Sequence, residues 1–188
     1  AGSSGQLILG TGTSMKKSSG DIFINVGTGA QRGGKIQVKA GDATQKAGFG
    51  GDLELLGGDS LLGQGGTVYL SGGSSGGHSS TLSGGNIIID GGSSTTSVGG
   101  SISITTGQSD KSSSGDIKIT SADASYFGSS GSIDLYTGQS TNVNSGDLRL
   151  GTGSAVESKS GSISILVGST ESGDGGDIIL AAGATSGT

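Results

Sequence analysis

Branched aliphatics alternate with polar residues over short stretches of the chain, and the alternation returns at a nearly fixed interval. Aligning on the glycine before each stretch gives twelve repeats, starting at Gly5, Gly20, Gly34, Gly51, Gly66, Gly85, Gly100, Gly115, Gly131, Gly146, Gly161 and Gly176. Most spacings are 15 residues; the others are 14, 16, 17 and 19. With each of these glycines as position zero, positions +2 and +4 are Ile, Leu or Val in every repeat, from Leu7/Leu9 and Ile22/Ile24 to Ile178/Leu180. Residues two apart in a strand share a face, so the pattern predicts one short strand per repeat, with these 24 side chains pointing inward. Position +6 continues that face with small or medium residues, such as Thr11, Val26, Ala40 and Gly57.

Position +7 is Gly in eleven repeats and Ala122 in the other. Glycine there suits a corner that needs positive φ. Position +9 is small throughout (Ser94, Ser109, Ala124, Ser140, Ala155, Thr170) and reads as a second inward residue opposite the aliphatic pair.

The fold class this predicts is all-β: a parallel β-solenoid (β-helix) of about 12 coils, about 15 residues per coil, with uncapped ends, filling residues 1–188 as a single array. With coils about 4.8 Å apart, the array would form a rigid rod about 55 Å long. Its core would be the aliphatic ladders, at roughly 1.5–3 kcal/mol per buried side chain. A meander of hairpins is the antiparallel alternative, but it calls for alternate repeats to differ, and they do not. The segment begins on the approach to a strand, "AGSSGQLIL", and stops at "AAGATSGT", where a thirteenth repeat would start. It therefore reads as part of a longer array or as a unit that stacks end to end.

Composition complicates this picture before supporting it. Glycine accounts for 43 of 188 residues, and there is no Pro, Cys or Trp. Such chains are commonly flexible linkers, but a linker has no reason to keep 24 of 24 positions aliphatic. A net charge of -5 argues against nucleic-acid binding, which needs a basic surface. No run of about 20 apolar residues suits membrane insertion.

Partner information should lie on the outward positions +1, +3 and +5. Phe23, Leu56, Tyr69, Ile88, Tyr136 and Leu166 are outward and apolar, and form a candidate lateral-contact wall. Lys118, Asp134 and Arg149 alternate in sign at +3 of successive repeats. Asp recurs at +1 (Asp21, Asp52, Asp116, Asp147, Asp177), more simply as a polar strand entrance than as a calcium ladder, which needs six to eight converging oxygens. The longer repeats place their extra residues, "TQKAGFG", "SSGGHSSTLS" and "SYFGS", at one corner.

One His and no Cys make neither a zinc cluster nor a convincing triad, and no Gly-rich string opens a helix as a nucleotide loop does. The expectation is no enzyme, no catalytic, metal or cofactor residues, and no cofactor. A β-helix carbohydrate enzyme would need a cleft with paired acids. Ice binding would need a flat outward Thr rank, and only Thr105 and Thr120 form an adjacent pair at +5.

In "SGDIFINVGTG", "SGSIDLYTGQS" and "GGDIILAAGAT" the chain resembles the Gly/Ser-rich repeat arrays of large secreted and cell-surface proteins of diatoms and related algae. Similar arrays occur in phage tail fibres. The resemblance implies an extracellular or virion-surface location and a structural, filament-forming or adhesive role. Partners would be further copies, end to end or lateral, or neighbouring segments of the same parent protein. It carries over no functional residues. The alternatives are an ice-binding protein and a phage tail-fibre or spike shaft.

Overall fold

A computed structural model of the chain describes residues 4–76, 82–125 and 127–185. Among them there is no helix and no strand. This corrects the predicted β-solenoid: no sheet stacks one repeat on the next, and no core fills a coil. None of the described residues is buried. The chain exposes 19544 Å², against about 8,000 Å² for a compact protein of its 17.9 kDa and about 26,000 Å² for an unfolded one. The least exposed of its large aliphatics, Val167, still shows 43% of its surface.

The physical reason lies in what a period-2 pattern specifies. Alternation decides which side chains share a face, and nothing about what covers that face. The alternation itself persists: Ile22 and Ile24 are 49% and 69% exposed, while Phe23 between them is 84% exposed. Ordering a Gly-rich backbone is costly, and aliphatics that remain in water contribute little to offset it.

What the fold does contain is a repeated loop. From +1 to +9 each repeat runs without a bend, and the chain then turns, most often at +10 to +12, as at Met15–Lys17, Leu61–Gly63, Thr95–Ser97 and Glu171–Gly173. The turn brings the next repeat's position zero back beside +6 and +7. In five repeats the neck is closed by a main-chain hydrogen bond from the zero glycine to the +7 carbonyl.

The chain divides into two units, Ala1–Ile102 and Ser103–Thr188. In the first, the amides of Gly51, Gly66, Gly85 and Gly100 donate to the carbonyls of Gly41, Gly58, Gly73 and Gly92 at 2.7–2.9 Å. Thr11 Oγ1 reinforces an earlier neck by donating to the Gly20 carbonyl at 3.1 Å. In the second unit the Gly115 amide donates to the Gly107 carbonyl at 3.1 Å.

The corner glycines act differently from the expectation. Among the described residues only Gly173 and Ala47 have positive φ, 103° and 63°. Neither is a +7 position, so glycine is not required at +7 by left-handed backbone. The requirement sits at the neck. A Cβ on Gly161 would stand 3.3 Å from Thr152 Cγ2, and one on Gly34 would stand 2.8 Å from Val26 Cγ1. Where +6 is itself glycine the backbones come closer still: a Cβ on Gly91 would lie 2.5 Å from the Gly100 carbonyl oxygen.

Candidate association surface

Loop chemistry sets how each aliphatic segment is presented. The +9 serines, read from sequence as inward fillers, instead hold the turns. Ser14, Ser60, Ser94, Ser109 and Ser140 each accept, through Oγ, a hydrogen bond from the amide three residues on, at 2.9–3.4 Å. Thr170 serves its turn in another way, donating from Oγ1 to the Ser172 carbonyl at 2.8 Å. A side-chain oxygen capping an amide within a tight turn is a local device that needs no core. Its sequence signal was visible as the recurrence of hydroxyl residues at a fixed offset, but "small" alone did not separate a filler from a cap.

Between the loops, the segments expose both of their faces. The +2 and +4 aliphatics, expected inside, lie in water. So do Phe23, Leu56, Tyr69 and Ile88 of the first unit and Tyr136 and Leu166 of the second. Within each unit, no strand forms among the described residues that carry them. The segments' main-chain groups are likewise open: the main-chain hydrogen bonds among the described residues are seven, all at necks and turns, where a folded domain makes about one per residue overall.

Charged groups are exposed too. Lys39 pairs with Asp42 at 2.6 Å, and Arg149 pairs with Asp147 two residues before it. Both pairs are local and water-exposed, and such pairs contribute about 0–1 kcal/mol. The Asp residues at +1 are not gathered: no three His, Cys, Asp or Glu come together among the described residues, and no pocket is enclosed there. His78, in the longest insertion, lies outside the described residues. Of the other two insertions, "TQKAGFG" closes as a tight turn, with the Gly48 amide donating to the Gln45 carbonyl at 3.0 Å. In the other, "SYFGS", the Gly128 amide donates to the Ser125 carbonyl at 3.3 Å, and Tyr126 lies outside the described residues.

No protein-family model matches the chain, and neither the curated proteins nor the solved structures compared with it give a match.

Proposed function

We propose that the chain is a non-enzymatic structural repeat segment of an extracellular filament, fibre or cell-surface protein, and that it works by associating with further copies or with neighbouring segments of its parent. One observation carries this reading. Twenty-four aliphatic positions, kept without exception across twelve repeats, all lie in water in the isolated chain. Apolar surface gains about 25 cal/mol per Å² when it leaves water, so twelve exposed aliphatic pairs favour an association that covers them. The resemblance to secreted algal arrays supports an extracellular setting and a mechanical role.

Sedimentation velocity over a wide range of protein concentration tests the proposal. The expected result is a concentration-dependent shift from monomer to large species. That shift should be lost when the +2 and +4 aliphatics of four successive repeats are changed to Ser. A chain that stays monomeric at millimolar concentration would exclude this function.

A further inference from the structure

Resting on that reading, we propose that the segments pair with a second copy of the chain in parallel, shifted by one repeat, so that repeat n of one copy lies against repeat n+1 of the other. The occupant must supply two things to each segment: cover for its aliphatic face, and donors and acceptors for a main chain left open between the necks. A second copy supplies both, because it carries the same segment at nearly the same spacing.

Charge selects the register. In an unshifted parallel pair every charged residue meets its own sign, Asp21 on Asp21 and Lys118 on Lys118. A two-repeat shift sets Asp21 on Asp52, Asp116 on Asp147, Asp147 on Asp177 and Lys118 on Arg149. A one-repeat shift removes every directly opposed like-charge pair at +1, +3 and +5. In their place it puts Lys35 between Asp21 and Asp52, and Asp134 between Lys118 and Arg149. It also pairs Ile8 with Phe23 and Tyr69 with Ile88. An antiparallel pair that keeps +2 against +4 sets +1 opposite +5, which separates Lys35 from both aspartates. Directly opposed like charges destabilise paired strands and opposite charges support them, so the complementarity favours the shifted parallel register. Within a single chain Asp21, Lys35, Asp52, Lys118 and Asp134 enter no ion pair: the two among the described residues are Lys39–Asp42 and Arg149–Asp147, and only the second engages charges at issue here. A shifted pair leaves one repeat unpaired at each end, so the contact is head to tail and grows into a filament rather than closing as a dimer.

Two experiments on the full chain test the register. Lys35→Asp turns two opposite-charge contacts into two like-charge ones, and the concentration for half-assembly at low salt should rise about fivefold, with the effect fading at high ionic strength. The charge-swapped variant Asp21→Lys/Lys35→Asp/Asp52→Lys should restore the original value. An unshifted pair meets like charge before and after the single change, so assembly unaffected by Lys35→Asp overturns the proposal. In the second experiment Thr105→Cys and Thr120→Cys chains are mixed and oxidised. The shifted register predicts disulfides between the two kinds of chain and few within either kind. Each variant bonding to itself, or the double variant closing its two thiols within one monomer, overturns the second copy's place or its register. If no assembly forms under any condition, the proposed function falls together with the register. If assembly persists while these patterns fail, the register alone falls.

Discussion

Ser94 and its neighbours show how much a single side chain does where none of the described residues is buried. Ser94 Oγ takes the Ser97 amide at 3.0 Å in full view of solvent. A net contribution of about 0.5–1 kcal/mol is reasonable for such a bond, which corresponds to about two- to fivefold slowing of amide exchange. Ser94→Ala should therefore speed exchange at the Ser97 amide by that factor and leave the Ser112 amide, held by Ser109 one repeat on, unchanged. Equal exchange at Ser97 in both chains would contradict the cap. The fixed offset of the hydroxyl was legible in the sequence. Its role was not, because a small polar residue suits a turn and a thin core equally well.

Each repeat is a loop whose stability depends on its neck. Closing about eight residues costs about 2 kcal/mol beyond a constant term, while the closing hydrogen bond returns about 0.5–1.5 kcal/mol. A neck therefore tolerates no added strain, and adjacent glycines should differ in what they accept. Gly91→Ala places a methyl against the Gly100 carbonyl and should open that neck, whereas Gly92 has free space on all sides and Gly92→Ala should be accepted. Exchange of the Gly100 amide, which donates to the Gly92 carbonyl at 2.7 Å, reads the difference: protection lost in the first variant and kept in the second. The zero glycine stood out in the sequence as the one residue present in all twelve repeats. Its reason at Gly34, Gly66 and Gly100, where a Cβ would come within 3.0 Å of +6 or +7 of the preceding repeat, depends on a residue eight positions away and was not visible locally.

At the scale of the chain, aliphatics that stay in water provide no cooperative core. A two-state protein of ordinary size unfolds in urea with a slope of about 1–3 kcal/mol/M. Below its assembly concentration this chain should show no such transition by circular dichroism. In a stacked-coil core Ile104→Asp would unfold several repeats and Ser103→Asp would be neutral. With Ile104 70% exposed, neither change buries a charge, and both should leave the dilute chain's urea curve unaltered. A sigmoidal transition in the dilute wild-type chain, abolished only by Ile104→Asp, would show a core after all.

The amino-acid sequence by itself determined the twelvefold period, the aliphatic identity of +2 and +4, the small or medium residues at +6 and the small residues at +7 and +9. These are local regularities, fixed by which side chains alternate and where glycine recurs. The tertiary structure decided what those regularities are joined into: loops closed at their necks, serine-held turns and segments open on both faces, in place of stacked coils. The difference is physical. Alternation assigns side chains to faces at no cost in chain entropy, but pairing one segment with another requires a partner at a defined register, and a repeat that looks the same in every unit does not say whether that partner is its own neighbour or another molecule.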